Sequence, residues 1–181
     1  MELELLHRDL LYTGKVFDLV VDRVRYPSGA EGVREVARHP GGAVVVPLMD
    51  DGTILFVRQL RYPFAKRILE LPAGKLSRGE DPAGGAAREL EEETGWQAGV
   101  LEPLVTIYST PGFCDEVLHL FLGRDLVPSP RGHRREEGEQ SMELERHTPD
   151  EAAAMIARGE LPDAKTIVGV LLARERLAVR P

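Results

Sequence analysis

The chain has 181 residues, of which 43% are hydrophobic and 29% charged, a composition typical of a globular domain with its own core. Its formal net charge of -7 at pH 7 argues against a broad surface for nucleic acid or anionic lipid. The single cysteine, Cys114, excludes an intramolecular disulfide, and neither a signal-peptide pattern nor a run of about 20 apolar residues is present. We therefore expect a cytoplasmic protein whose partners are neither nucleic acids nor membranes.

Strand patterns dominate the first sixty residues. Four segments rich in Val, Leu and aromatic residues are predicted to be strands: 16–27, 32–39, 43–49 and 53–60. The third is expected to be buried, with the fourth as its hairpin partner across an Asp-Asp-Gly turn. We predict a β-rich segment over 1–40, whose apolar faces need a partner, and a main domain over 41–181.

The rest of the chain alternates between helical and strand patterns. A helix is predicted at about 82–94, because Pro82 suits a first turn and Gly95 suits a C-terminal cap. Strands at 100–108 and 116–126, a Pro/Gly-rich loop at 127–140 and helices at about 149–158 and 163–177 are predicted to follow. This order predicts an α/β or α+β sandwich with a mixed sheet between helices.

One face of the predicted helix concentrates negative charge. At about 100° per residue, Glu89, Glu92 and Glu93 share a stripe, roughly 120° from the apolar stripe that contains Leu90. Three carboxylates in that space repel each other unless a cation lies there, and Mg²⁺ and Mn²⁺ prefer oxygen ligands. Arg88 lies beside the patch and could hold one carboxylate in a bidentate contact. The alternative is an ordinary solvated, charged helix face.

The surrounding residues favour the metal. Residues 74–96 match the pattern G-x5-E-x7-R-E-U-x-E-E-x-G-U, where U is bulky and apolar, and Trp96 fills the last position. Seven fixed identities at about 7% usage each make a chance match roughly a one-in-a-million event. This is the Nudix box, and the chain resembles the Nudix hydrolases, although an aliphatic residue is commoner where Trp96 stands.

The resemblance implies a Nudix α/β/α sandwich that hydrolyses a nucleoside diphosphate linked to another group. It implies two or three Mg²⁺ or Mn²⁺ ions, held by Glu89, Glu93, Glu92 and the main-chain carbonyl of Ala73. Glu92 and Arg88 are also assigned to catalysis, with Arg88 and Glu80 orienting the loop and the helix. Gly74 is expected to open the loop where a side chain would crowd the ligand.

A second group of motifs resembles the ADP-ribose pyrophosphatase branch of that family. Pro111 lies 15 residues beyond Trp96 and begins a PG-x-x-x-E pattern that ends at Glu116. The stretches 38–48, 57–63, 70–76 and 158–172 are similar to the same branch. The resemblance implies hydrolysis of ADP-ribose to AMP and ribose 5-phosphate.

Several residues are predicted to contact that substrate: Arg38, Arg61, Gly74, Pro111, Phe113 and Glu116. The two arginines suit phosphate or a terminal sugar, because a guanidinium group matches phosphate oxygens. Phe17, Tyr26 and Tyr62 join Phe113 as candidates for stacking on adenine, although core or hairpin packing would explain each of them.

The acidic loop at 134–140 is predicted to carry the base that activates water. Glu139 fits best, with Glu136 and Glu137 as alternates, and a solvated charged loop is the other interpretation.

Cleavage of GDP-mannose or another sugar nucleotide, of NADH or of a dinucleoside polyphosphate stays open, as does an ADP-ribose sensor without catalysis. The β-rich segment, which often crosses to the partner subunit in this branch, predicts a homodimer.

Overall fold

The computed structural model describes residues 3–135 and 137–179, and the chain divides into two compact units. The first unit contains Met1–Gly41 together with Tyr108–Val117. The second contains Gly42–Ile107 and Leu118–Pro181. None of the described helices is long and apolar enough to cross a membrane.

An antiparallel sheet forms the body of the first unit. Its strands, in the spatial order β1-β2-β3, are β1 (Glu4–Thr13), β2 (Asp18–Arg25) and β3 (Glu31–Arg38). Alternation along β2 buries Val20 and Val24, which confirms the strand predicted there, and β3 confirms the returning strand. β1 was not predicted, because its pairing with β2 is irregular near His7 and Tyr12 and breaks the alternation of apolar residues.

Two sheets build the second unit. Their strands are β4 (Gly42–Pro47), β5 (Ile54–Arg61), β6 (Lys66–Glu70), β7 (Ala73–Lys75), β8 (Trp96–Tyr108), β9 (Val117–Pro128) and β10 (Glu143–His147). One sheet has the order β7-β4-β9-β8 and is mixed, because β4 runs parallel to β9 and antiparallel to β7. The other has the order β10-β5-β6 and is antiparallel.

The predicted hairpin between residues 43–49 and 53–60 is wrong. The turn forms as expected, since the Met49 amide donates to Thr53 O at 2.8 Å. Only one bridge, Leu48 to Ile54, joins the two segments, however, and the strands then enter different sheets. The reason is that β7 and β9 occupy both edges of β4, which leaves no edge for β5.

Three helices complete the second unit: α1 (Pro82–Thr94), α2 (Pro149–Ala157) and α3 (Ala164–Val179). All three lie close to their predicted positions, and α1 has the predicted limits. The Asp81 carboxylate caps its first turn by accepting from the Gly84 amide at 2.9 Å. Gly95 ends the helix with a φ of 76°, in the left-handed region that favours glycine.

The mixed sheet lies between helices, as the alternation along β4 shows. Val44 and Val46 pack in a core cluster with Ala152 of α2 and Val170 of α3. Ala43 and Val45 point the other way, into a second cluster that contains Ala86 and Leu90 of α1. The predicted α/β/α sandwich with a mixed sheet and an N-terminal β-rich segment is therefore confirmed.

Candidate active site

The three box glutamates lie on α1 at different depths. Glu93 is 2% exposed, while the side chains of Glu89 and Glu92 are 12% and 27% exposed. Leu90, packed in the core beneath α1, fixes the rotation of the helix and turns this face toward β7. The Ala73 amide of β7 donates to Glu93 Oε2 at 3.0 Å, so the deepest carboxylate is tied to the strand.

This face carries more negative charge than its surroundings compensate. Burial raises the pKa of Glu93 to about 8, and the charges of Glu89 and Glu139 add to the effect against the Ala73 hydrogen bond. Burial also raises the pKa of Glu89, although Arg88 opposes the shift. A cation bound between these carboxylates would therefore relieve an existing electrostatic cost.

Arg88 lies at the centre of a hydrogen-bond network. Its Nε and Nη2 donate to the two Glu80 oxygens at 2.9 and 3.1 Å, which is the predicted bidentate geometry on a different carboxylate. Its Nη1 donates to Glu89 at 2.7 Å and to Glu92 at 3.0 Å, and its Nη2 also donates to Lys75 O at 3.2 Å. These contacts join the loop after β7 to the helix.

Gly74 gives the Glu89 carboxylate its space. A Cβ at this position would lie 2.0 Å from Glu89 Cδ, far inside van der Waals contact. Gly74 itself is held in β7 by pairing with Ala43 of β4. The Glu89 carboxylate thus rests directly on the main chain of β7, the strand that begins at Ala73.

Within residues 3–135 and 137–179, no group of three or more His, Cys, Asp or Glu side chains is already arranged to hold a metal ion. Arg88 binds Glu89 and Glu92, and the Ala73 amide binds Glu93. The donor set nevertheless fits a hard divalent cation, because the carboxylates of Glu89, Glu92 and Glu93 share one face of α1, where Glu89 lies against the main chain of Gly74.

The acidic loop is attached to the C-terminal end of α1. The Arg134 amide donates to Glu92 O at 2.8 Å, and Arg135 Nε donates to Glu93 O at 2.8 Å. Glu139 lies in a short 3₁₀ turn, Glu137–Glu139, and its charge raises the pKa of both Glu89 and Glu93. Among the three residues predicted as the base, Glu139 is therefore the one whose charge acts on Glu89 and Glu93. Glu136 lies outside the described residues.

Arg61 pairs with a residue that the sequence reasoning missed. Its Nε and Nη2 each donate to the Glu70 carboxylate at 2.7 Å, and Lys165 binds the same carboxylate. Burial would raise the pKa of Glu70, but Arg61 and Lys165 outweigh burial and lower it. These three residues line a cavity of about 720 Å³. A glutamate inside the apolar stretch ILELP was the available signal, because a buried charge needs a partner.

The remaining predicted substrate residues lie in the first unit. Arg38 pairs with Asp115 at 2.8 Å, and Glu116 lies 3.4 Å from His39 Nδ1. Pro111 and Phe113 lie in the turn where the Phe113 and Cys114 amides donate to Thr110 O, and Phe113 is exposed. Ala37 of β3 holds this turn through main-chain bonds to Phe113 and Asp115.

Similarity to known proteins agrees with the geometry. The model of the NUDIX domain matches residues 38–168. An ADP-ribose pyrophosphatase from Bacillus subtilis (strain 168) is 38% identical over 170 residues, which cover 94% of this chain and 91% of the relative. An ADP-ribose pyrophosphatase from Mycobacterium tuberculosis is 39% identical over 173 residues, covering 94% and 82% respectively.

A solved structure, described as the crystal structure of an ADP compounds hydrolase, has the same fold. Its TM-score is 0.85 at 18% identity, and the match covers 98% of this chain and 95% of that one. The domain match over most of the chain, the two relatives and the box on α1 together show that this chain belongs to the Nudix hydrolase family.

Proposed function

We propose that the protein hydrolyses the pyrophosphate bond of ADP-ribose and yields AMP and ribose 5-phosphate. The observation that carries the proposal is the carboxylate face of α1, where Glu93 is buried and Glu89 packs against Gly74 in a Nudix fold. The choice of ADP-ribose rests on the two pyrophosphatase relatives and on the pattern that begins at Pro111.

The metal is proposed to be Mg²⁺ or Mn²⁺, with two or three ions per site. Glu89, Glu92, Glu93 and the Ala73 carbonyl would hold it. When bound, such a metal neutralises phosphate charge and polarises the phosphorus that is attacked. Arg88 would compete with it for Glu89 and Glu92, while its bidentate contact with Glu80 keeps the loop on the helix.

Glu139 is proposed to accept the proton of the attacking water. Its loop is fixed to the end of α1 by Arg134 and Arg135, and its charge acts on Glu89 and Glu93. Glu137 in the same turn, and Glu136, are the alternates. A carboxylate that orients water for in-line attack needs no covalent intermediate on the protein.

Arg61 is proposed to bind a phosphate or sugar of the substrate. The Glu70 pair uses two of the five N–H donors of Arg61, and the rest can face the cavity that both residues line. Gly74 is proposed to leave room for the ligand. For the first unit, we propose that Arg38, Pro111, Phe113 and Glu116 contact the substrate, as the family resemblance implies.

Two properties of the whole protein complete the proposal. A homodimer is supported by β1, where Leu10, Leu11 and Tyr12 are exposed on an edge strand. A cytoplasmic location is supported by the composition, with its single cysteine.

The test is ³¹P NMR of the purified protein with ADP-ribose, GDP-mannose, NADH and diadenosine polyphosphates, each with Mg²⁺ or Mn²⁺. We expect selective conversion of ADP-ribose to AMP and ribose 5-phosphate. We expect Glu93→Gln to keep the fold and lose about 100-fold in kcat, because a metal ligand is removed. Glu91→Gln is the matched control, since Glu91 is on the same helix but binds Ser129 and Gln97, with Arg134 at 3.9 Å.

Each other outcome has a defined meaning. Selective cleavage of a different diphosphate would keep the metal site and replace the substrate. Full activity of Glu93→Gln would remove the proposed metal site. Metal binding without cleavage of any compound would favour an ADP-ribose sensor.

A further inference from the structure

The start of α3 holds the main chain that leads into the candidate metal site. The Leu71 amide donates to Thr166 Oγ1 at 2.9 Å, and Thr166 is completely buried. The Thr166 hydroxyl donates in turn to Asp163 Oδ2 at 2.6 Å, and the same oxygen accepts from the Thr166 amide at 3.0 Å. Asp163 thus caps α3 and fixes the hydroxyl that receives the Leu71 amide.

Lys165 supplies a second anchor one residue earlier in each segment. Its ammonium group binds Glu70 and also donates to Asp163 Oδ2 at 3.0 Å. Lys165 and Glu70 are both largely buried, at the wall of the cavity that they line together with Arg61. Lys165 and Thr166 of α3 therefore bind two consecutive residues, Glu70 at the end of β6 and Leu71 directly after it.

A glycine allows α3 to come this close. A Cβ on Gly169 would lie 2.6 Å from Leu71 Cδ1 and 3.0 Å from Val46 Cγ2. The helix therefore packs directly on the Leu71 side chain, in addition to binding its amide. Helix and segment are in contact through both main-chain and side-chain atoms.

The position of Leu71 sets that of Ala73 through a short, stiff connection. Pro72 has a ring-restricted φ, and its carbonyl accepts from the Val45 amide at 3.0 Å. The next residue, Ala73, donates its amide to Glu93 Oε2 at 3.0 Å. Gly74 then lies against the Glu89 carboxylate. One residue, Pro72, thus separates the anchored Leu71 from Ala73, which is a proposed metal ligand and binds a second one, Glu93.

We propose that Thr166 and Lys165 are positioning residues of the metal site, which set the Ala73 main chain and, through it, the Glu93 carboxylate. The inference rests on the proposed function, because it takes Glu89, Glu93 and Ala73 as metal ligands. Thr166 bonds to the Leu71 amide and Lys165 to Glu70, so both hold the segment from Glu70 to Gly74 in place.

The experiment measures Mn²⁺ binding by the full chain without substrate, by electron paramagnetic resonance of free Mn²⁺. Thr166→Val removes the hydroxyl and keeps the shape of the side chain, whereas Thr166→Ser keeps the hydroxyl and removes only the methyl group. We expect Thr166→Val to weaken Mn²⁺ binding about tenfold, the low end for loss of a ligand-supporting contact, and Thr166→Ser to bind like the wild type. Lys165→Met should weaken binding in the same direction, while Arg61 still pairs with Glu70.

Thr148→Val is the matched control. Thr148 also caps a helix, because its Oγ1 accepts from the Glu151 amide at 3.2 Å at the start of α2. We expect this variant to lose stability but to keep its Mn²⁺ affinity. In hydrolysis assays, Thr166→Val should need more Mn²⁺ for half-maximal rate, with little change in KM for ADP-ribose at saturating metal.

Wild-type Mn²⁺ affinity in folded Thr166→Val and Lys165→Met would overturn the proposal, and so would an equal loss in Thr148→Val. If Thr166→Val does not fold, the Mn²⁺ affinity of Lys165→Met decides whether the proposal stands. A wild-type chain that binds Mn²⁺ but cleaves no diphosphate would refute the proposed function, and the affinities would still decide this inference. A wild-type chain that binds no Mn²⁺ would refute the metal site and the positioning role together.

Discussion

At the scale of single residues, the missing side chain at Gly74 determines where Glu89 lies. A methyl group there would meet the end of the Glu89 side chain, which can rotate away, while β7 keeps its pairing with β4. We predict that Gly74→Ala folds normally and loses about tenfold or more in Mn²⁺ affinity, because a proposed ligand is displaced. Thermal unfolding and metal titration of the same samples measure both effects.

Gly84→Ala is the control for this substitution. Gly84 lies in the same box, and a Cβ there would meet Asp81 Oδ2 at 3.7 Å, an ordinary contact. Since alanine favours a helix over glycine, this variant should gain up to about 1 kcal/mol of unfolding free energy and keep its metal affinity. Equal Mn²⁺ affinity in Gly74→Ala and the wild type would contradict the prediction, because it would show that metal binding does not need the Glu89 carboxylate to lie against residue 74.

Glu139 has a separable role at the same scale. We predict that Glu139→Gln lowers kcat about 100-fold with a much smaller change in substrate dissociation constant, because the amide cannot accept a proton from water. Single-turnover rates and direct binding of ADP-ribose measure the two quantities. Full activity here, with loss in Glu136→Gln or Glu137→Gln, would move the base to that residue.

The sequence revealed some of these residues and concealed others for a physical reason. Glu89, Glu92 and Glu93 share one helix face, so their proximity follows from local geometry alone. The bond between Thr166 and Leu71 joins positions 95 residues apart, and the Lys165–Glu70 pair has the same separation. Such contacts arise from the packing of α3 against the sheet, which no local pattern specifies.

At the scale of elements, β10 is held to β5 by an ion pair across the strands. Arg58 Nε and Nη2 donate to the two oxygens of Glu145, and this bidentate contact holds the pKa of Glu145 below its usual value. Because the folded state favours the ionised carboxylate, the pair stabilises fully above the unfolded-state pKa of about 4.5. This stabilisation is lost as the pH falls through the lower, folded-state pKa.

We therefore predict that Glu145→Gln lowers the free energy of unfolding by up to about 1 kcal/mol at pH 7. The difference from the wild type should shrink as the pH is lowered below about 4.5. Urea unfolding followed by Trp96 fluorescence measures it, since Arg146 of β10 lies 5.6 Å from the centre of that ring.

Glu143→Gln separates this pair from a general charge effect. Glu143 is on the same strand, but its side chain is 65% exposed and accepts one bond from Arg67. A smaller loss is expected there. An equal, pH-independent loss in both variants would mean that the Arg58 pair contributes nothing specific.

The elements differ in how far the sequence predicts them. The limits of α1 follow from Asp81, Pro82 and Gly95, which act within one turn of the helix. Strand partners are less local: β4 pairs with β9, which is more than 70 residues later, and the predicted pairing with its neighbour in sequence was wrong. Short strands such as β6, β7 and β10 carry too few residues for a recognisable pattern.

At the scale of the whole molecule, the first unit is assembled from two parts of the chain. Residues 1–40 were predicted as a separate segment from their strand patterns. The turn at Tyr108–Val117 belongs to the same unit because the His39 amide bonds to Asp115, 76 residues away, and Ala37 bonds to Phe113 and Asp115. Composition gives no sign of such an association.

The exposed edge of this unit leads to a prediction about assembly. β1 is exposed along nearly its whole length and pairs with a neighbour on one side only, although it carries Leu10, Leu11 and Tyr12. An apolar edge strand invites pairing with another chain, and a second copy is the partner that we propose. Light scattering at micromolar concentration should therefore give twice the chain mass.

Leu10→Lys tests whether this strand forms the contact. Because Leu10 is exposed in a single chain, the substitution should leave the fold intact and shift the mass to that of one chain, since a buried lysine opposes association. Val127→Lys, at a similarly exposed apolar position in the second unit, should stay dimeric. If the wild type is a monomer with full hydrolytic activity, or if Leu10→Lys remains dimeric, β1 is not the subunit interface.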